Sequence, residues 1–305
     1  PSEKKDRKGR LSDEYGTGRR VELEEKGMIQ DIEPHIYQNE YRAEEPDEES
    51  FLLYFSEGKA LARWEDTALL FPQFKDYPEV RKKLSDKLVY LFAIDGLRFY
   101  LARELAAPER RGYQLRSVRE FREAQPQWVA FAGITAHQLS HWYDSHIFCG
   151  HCGCPMKHAS DARMLRCPDC GQEEYPKISP AVIVGILHEE KLLMSKYAGR
   201  TITHYALIAG FNEIGETLEE TVKREVFEET GLHVKNIRYY KSQPWSFSET
   251  ILMGFFADLD GTDEITLDTR ELSTADWFTR EEAPAQPLNI SLTSEMIWEF
   301  KRGRV

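Results

Sequence analysis

Two C-x-x-C pairs, Cys149 with Cys152 and Cys167 with Cys170, stand fourteen residues apart, so the chain around them must bring four sulfurs together or pair them off. Each pair lies in a tight turn, "CGHCG" or "CPDCG", where the glycine after the second cysteine lets backbone amides turn toward sulfur. Four thiolates satisfy tetrahedral zinc at Zn–S of about 2.3 Å and leave no position for water, so the spacing predicts a structural zinc ribbon rather than a catalytic metal. Two disulfides are the competing outcome. They belong to secreted domains, and the first residues, "PSEKKDRKGRLSDEYGTGRR", lack the apolar centre of a secretion signal. Cys154 is then a bystander thiol, and His151 and His158 are ribbon surface, because the ligand set is complete without them.

A length of 305 residues allows two domains with a small module between them. No apolar run approaches the ~20 residues of a membrane span, so the expectation is a cytoplasmic protein without a membrane partner. A net charge of −12 argues against broad electrostatic binding of nucleic acid and favours small-molecule substrates, leaving room only for a local basic patch. Residues 1–28 mix charge and glycine without periodicity and read as a disordered tail, with Met28 as an internal start. Over 29–145 the runs "FLLYF", "TALLF" and "KLVYLFAI" read as strands of an α+β domain. "WVAFAGITAHQLSHWY", Trp128 to Tyr143, is apolar at three- and four-residue steps and reads as a helix leading into the ribbon at 146–176. Its His137 and His141 stand one turn apart without a third ligand or an HExxH glutamate, which makes them helix surface or interface.

From 177 to 305, "AVIVGILH", "LLMSKY", "THYALIAG", "VKNIRYYKS", "TILMGFFADL" and "TADWF" read as strands around one central helix, with a last helix from Ser291 to Lys301. The fold class is therefore multidomain α+β with a mixed-sheet α/β domain at its end. The central helix lies in "GFNEIGETLEETVKREVFEETGL", Gly210 to Leu232, which holds seven glutamates. Thr217-x-x-Glu220 has the form of a capping box, and Gly231 suits a left-handed stop, so the helix should run from Leu218 to Thr230. At about 100° per residue, Leu218, Val222 and Val226 form an apolar stripe. Glu225, Glu228 and Glu229 fall beside or inside it, whereas Glu219 and Glu220 read as a solvated face and a cap. Three carboxylates one turn apart against a packed side repel one another and resist desolvation, so they call for a cation. All-oxygen donors point to Mg²⁺ or Mn²⁺. Lys223 and Arg224 support a salt-bridged surface helix instead, but that does not account for Glu229.

The same stretch, Gly210, five residues, Glu216, seven residues, then Arg224 to Leu232 as "REVFEETGL", resembles the Nudix box GX5EX7REUXEEXGU at every defined position. The resemblance implies an enzyme that hydrolyses a nucleoside diphosphate linked to another group, with divalent metals on the box helix. It also implies an α/β/α sandwich. A zinc ribbon directly before it looks like the NADH pyrophosphatase family, from roughly Ile29 onward, with a Nudix-like N-terminal domain. "SQPWSFSET", Ser242 to Thr250, is similar to that family's SQPWPFPxS signature. Ser246 and Ser248 stand where the family has prolines, and Thr250 replaces a serine, which loosens the loop.

Carried over residue by residue, the resemblance implies metal ligands in Glu225, Glu228, Glu229, Glu271 and the carbonyl of Ala209. Arg224 would orient the carboxylates, and Glu216 would support the loop and metal shell. Tyr175 and Phe211 would sandwich the adenine. Gln243, Pro244, Trp245, Ser246, Phe247, Ser248, Glu249 and Thr250 would line the substrate pocket, with Trp245 reaching it across a homodimer. Arg119 is a further substrate contact, and Thr293 stands where relatives often have alanine. The reaction implied is metal-assisted hydrolysis of NADH or NAD⁺ to nicotinamide mononucleotide and AMP, with Glu228 or Glu229 taking the proton of the attacking water. Removal of an NAD cap from RNA cuts the same bond, and a broader dinucleotide or ADP-ribose pyrophosphatase would use the same residues. A ribbon whose main work is binding nucleic acid or protein is the reading of a different class.

Overall fold

The computed structural model describes residues 27–305 other than 43, 67, 84–86, 107, 200–203 and 287, so most of the stretch read as a tail lies outside the described residues. The N-terminal part contains strands β1 (Tyr37–Gln38), β2 (Phe51–Leu53), β3 (Phe55–Ser56), β4 (Lys59–Glu65), β5 (Ala68–Leu70), β6 (Leu88–Ile94), β7 (Leu97–Ala102) and β8 (Gln114–Ser117). One sheet has the order β1-β6-β7-β2; the other is β3-β4-β5 with β8 on β4. Helix α1 (Pro78–Lys83) is short, and α2 (Gln127–Ser145) is the long helix that the apolar spacing predicts. Its Ala130, Ile134 and Ala136 are buried with Leu69 and Leu91 of the sheets and with Phe71 and Phe121, and Gly133 admits the Phe71 and Phe121 rings where a side chain would collide.

The ribbon folds as three two-residue strands, β9 (Lys157–His158), β10 (Leu165–Arg166) and β11 (Glu173–Glu174). Leu165 is buried in the same core as α2. The C-terminal part carries β12 (Ser179–His188), β13 (Lys191–Tyr197), β14 (Ile208–Phe211), α3 (Leu218–Thr230), β15 (Val234–Trp245), β16 (Thr250–Leu259), β17 (Leu272–Thr279) and α4 (Leu292–Lys301). The sheet is mixed, ordered β15-β16-β12-β13-β17 with β14 on β12, and β12 and β16 run parallel. Alternation along β12 explains the sandwich. Val182, Val184 and Ile186 face α3 through Val222 and Val226, while Ile183 faces α4 through Leu292 and Met296.

Two sequence expectations change here. Met28, assigned to the tail, is 2% exposed and packs in the α4 core, while the next residue, Ile29, enters the N-terminal core. The Ile29 amide donates to the Ile290 carbonyl at 3.1 Å, so this short segment ties both cores together. The "SQPWSFSET" stretch is not an open loop. Gln243, Pro244 and Trp245 finish β15 in register with Leu252, Ile251 and Thr250 of β16, leaving Ser246–Glu249 as a tight hairpin tip.

Candidate active site

Helix α3 begins and ends where its caps dictate. Thr217 accepts from the Glu220 amide at 3.2 Å, the Glu220 carboxylate accepts from the Thr217 amide at 2.8 Å, and Gly231 stops the helix with φ of 69°. Val222 and Val226 are fully buried, each side chain worth about 1.5–3 kcal/mol of burial. That anchorage sets the rotation of the helix, and with it the placement of the carboxylates.

Arg224 organises them. Its Nε and Nη2 donate to the two oxygens of Glu216 at 2.6 and 2.9 Å, and Nη1 donates to Glu225 at 2.7 Å and Glu228 at 3.0 Å. Nη2 also donates to the Phe211 carbonyl at 2.9 Å, which ties the helix to the end of β14. The Arg224 hydrogen bonds hold the Glu216 carboxyl down at about 2, so it stays charged. Glu228 is solvent-exposed, Glu225 is largely covered, and Glu229 is 4% exposed.

Glu229 is the anomaly. Burial first, then the charges of Glu225, Glu271, Asp268 and Glu228, push its carboxyl up to about 8. Its Oε2 is buried without a hydrogen-bond partner among the described residues. A neutral acid has no need of so many negative neighbours, and an ionised one this buried needs a positive charge, which none of the described residues supplies by an ion pair. A hard divalent cation with oxygen ligands fits this donor set.

The Glu225 carboxyl lies directly against Gly210, in space that any Cβ at that position would occupy. Gly210→Ala should therefore displace Glu225 and weaken Mn²⁺ binding by about 10–100-fold, as loss of a supporting contact at a metal site does. Titration calorimetry would check this, and unchanged affinity would show that Glu225 has room to move.

Glu271 reaches the cluster through the turn before β17. The Thr266 amide donates to the Thr230 carbonyl at 2.8 Å and the Asp268 amide to the Glu229 carbonyl at 3.0 Å, zipping this segment onto the end of α3. The Asp268 carbonyl accepts the Glu271 amide at 3.1 Å, its carboxylate accepts the Arg270 amide at 3.0 Å, and the Glu271 carbonyl takes the Ala198 amide at 2.8 Å. Asp268 went unread in the sequence; the only signal was its place three residues before Glu271. Asp268→Ala should loosen Glu271 and cut Mn²⁺ affinity several-fold, with Asp268→Asn, which keeps the turn acceptor, restoring most of it. Equal affinities in both variants would remove Asp268 from this role.

The aromatic and hairpin residues gather at the neighbouring end of the sheet. Phe211 on β14 is opposite Ala181 and Thr250 on β16 is opposite Ser179, so both flank the start of β12, and Tyr175 lies four residues upstream. Phe211 and Tyr175 are 55% and 59% exposed. Ala209 stands on β14 opposite Ile183, and Thr293 is half-buried in the first turn of α4. Pro244 and Ser248 are exposed, whereas Ser246 and Thr250 are buried. Trp245 packs on Phe247 of its own chain, with the Arg122 guanidinium over both rings, and Glu249 pairs with His141 of α2. His141 is thus an interface residue. Arg119 is exposed on the turn that carries Arg122.

Gln243 requires a correction. It is wholly buried; its Nε2 donates to Gln30 and to the Ile290 carbonyl at 2.9 Å each, and its Oε1 accepts the Leu292 amide at 2.7 Å. Every polar group of its side chain is engaged within the chain, so it braces the hairpin from beneath and does not line a pocket.

The four ribbon sulfurs lie within 4.8 Å of one another, with Cys149–Cys170 and Cys152–Cys167 separations of 3.6 and 3.4 Å. Tetrahedral zinc spaces sulfurs about 3.8 Å apart, so the cluster suits one ion. Gly153 and Gly171 take φ of 75° and 78°, the left-handed turn that each C-x-x-C-G needs. The Cys170 amide pulls the Cys167 thiol down to about 6, favouring the thiolate that binds metal.

Comparison with known proteins agrees with this arrangement. The NUDIX domain model matches residues 177–296, and the NADH pyrophosphatase zinc ribbon domain model matches 144–175. The "NAD-capped RNA hydrolase NudC" of Klebsiella pneumoniae is 39% identical over 178 residues, covering 58% of this chain and 68% of that protein. Its Salmonella typhimurium counterpart is 37% identical over 179 residues, covering 59% and 69%. A solved NUDIX hydrolase from Nitrosomonas europaea aligns with a TM-score of 0.45 at 24% identity, covering 52% of this chain and 92% of that one.

Proposed function

The chain belongs to the NADH pyrophosphatase family of Nudix hydrolases, and we propose that it cleaves the pyrophosphate bond of NADH or NAD⁺ with water, giving NMN(H) and AMP. The observation that carries this is the partnerless, buried Glu229 oxygen among the carboxylates of a complete box. Glu225, Glu228, Glu229 and Glu271, with the Ala209 carbonyl, would hold Mg²⁺ or Mn²⁺. Held there, a divalent cation would supply charge neutralisation at the phosphoryl oxygens and a more nucleophilic water.

The remaining work belongs to the chain. Arg224 holds three glutamates by hydrogen bonds and so aims them, and Glu216 keeps Arg224 in place. Glu228 or Glu229 would take the proton of the attacking water, and the solvent exposure of Glu228 supports it as one of the two. Phe211 and Tyr175 offer exposed rings for a flat base. NAD-capped RNA is a second substrate in this reading, favoured by the relatives that carry that name. Free cysteines arranged for zinc suit a reducing cytoplasm. Exposed Ile147 and Phe148 beside the ribbon offer apolar surface to a homodimer. The division into 29–145, 146–176 and 177–305 belongs to the same reading. Among the described residues no helix is long and apolar enough to cross a membrane.

The test is kcat/KM, by product chromatography with Mn²⁺ or Mg²⁺, on NADH, NAD⁺, ADP-ribose, diadenosine polyphosphate and NAD-capped RNA. A lead for NADH, NAD⁺ or the capped RNA supports the proposal. A lead for ADP-ribose or the diadenosine compound would retain the Nudix chemistry and overturn the substrate.

A further inference from the structure

Arg122 ends the 3-10 turn Val118–Arg122 and lies half-buried against the hairpin tip. Its guanidinium carbon is 4.3 Å from the centre of the Phe247 ring and 5.2 Å from that of Trp245. Among the described residues no oxygen accepts a hydrogen bond from it and no carboxylate pairs with it, yet none of its nitrogens is sealed from solvent. Stacking on the rings therefore fixes the guanidinium while leaving its N–H edge free, the form in which arginine presents parallel donors to an oxyanion.

Its neighbours sharpen the point. Arg116, just before the turn, is neutralised by Glu120 at 2.6 Å. Arg119 is exposed and, among the described residues, has no ion pair. Burial, and then the charge of Arg119, lower the proton affinity of Arg122, as expected of a cation with no anion beside it. In a chain with twelve more acidic than basic residues, leaving both arginines without acids among the described residues departs from the general balance. The anion is missing on the side where the hairpin tip meets the N-terminal part.

Resting on the pyrophosphatase reading, we infer that Arg122, with Arg119 beside it, is a specificity residue that takes a phosphate the substrate carries in addition to its pyrophosphate, as the first phosphodiester of an NAD-capped RNA does. The carboxylate cluster around Glu229 cannot attract such a phosphate on its own, because its charge has the wrong sign. Free NAD⁺ has no third phosphate, so the contact discriminates between the free dinucleotide and the capped chain. NADP⁺ also carries an extra phosphate, on a ribose hydroxyl, and serves to distinguish the two sources.

The test compares kcat/KM of the full chain with its Arg122→Gln and Arg122→Lys variants on NAD⁺, NADP⁺ and a short NAD-capped RNA, with Mn²⁺ present and salt varied. Arg122→Gln should lower the ratio of capped RNA to NAD⁺ by about tenfold or more, through loss of a charge-assisted contact. It should also flatten the dependence of log kcat/KM on log salt for the RNA by about 0.7. Arg122→Lys should keep that salt slope and lose part of the ratio, since lysine does not stack as a plane. A fall confined to the ratio of NADP⁺ to NAD⁺ would overturn the RNA assignment in favour of a ribose phosphate. Equal losses on all three substrates, or no change in either ratio, would overturn the inference and leave Arg122 as a brace for the hairpin. The same ratios measured as Kd without a divalent cation separate this inference from the reading beneath it. If the wild-type chain cleaved nothing, the pyrophosphatase reading would fail, while a Kd ratio that depends on Arg122 would still support the phosphate contact.

Discussion

Glu229→Gln should abolish turnover of NADH while leaving zinc content and the cooperative unfolding transition intact. Loss of a supporting partner at a metal site costs about 10–100-fold, and a carboxylate that itself meets the cation should cost more. Glutamine keeps the shape and one oxygen but removes the charge, so Mn²⁺ affinity should fall together with kcat. Normal activity in this variant would remove Glu229 from the metal site.

The same variant has a signature without any cation. In the folded chain the Glu229 carboxyl is raised from 4.5 to about 8, first by burial and then by Glu225, Glu271, Asp268 and Glu228. Between those values the folded state holds a proton that the unfolded state has released, so stability is fully present below about 4.5 and is lost as pH rises through about 8. The Tm of the cation-free wild type should therefore fall across this window more steeply than that of Glu229→Gln, and Mn²⁺ should restore the wild type at the upper end. Parallel Tm profiles for the two proteins would contradict the assignment of a buried, cation-seeking carboxylate.

Cys167→Ser should strip zinc from the ribbon and destabilise the chain. Three strands of two residues each cannot hold themselves together, and structural zinc sites supply apparent binding energies of about 10–16 kcal/mol to such modules. Leu165, two residues before Cys167, is part of the core around α2, so the loss is expected to spread beyond the ribbon. Even about 3 kcal/mol would lower Tm by about 6–12 °C in domains of this size. Metal analysis and calorimetry check both halves. A zinc-free variant with wild-type Tm and full activity would make the ribbon dispensable.

The parts legible in the sequence were those whose cause is local. Thr217, Glu220 and Gly231 announce the ends of α3 because capping is settled within a single turn of helix. Two C-x-x-C-G turns announce a zinc cluster because each pair of ligands is positioned by its own turn. The parts that were not legible depend on residues far apart in the chain. Gln243 read as pocket lining because its signature stretch looked like a loop, but pairing with β16 turned it inward onto Gln30 and Leu292. Met28 read as tail because a single apolar residue after a charged stretch carries no periodicity; only α4 and the sheet give it a core to enter.

By itself, then, the sequence determined the box helix, the cysteine cluster and the family, since capping, helical spacing and ligand spacing act over a few residues. Only the tertiary structure decided that Glu229 is buried with an oxygen to spare, that Gly210 makes room for Glu225, and that Arg122 rests on the hairpin tip with no counter-charge among the described residues. The physical reason is that desolvation and charge pairing are set by whatever segment packs opposite a side chain, and a residue's own neighbours in sequence do not specify that segment.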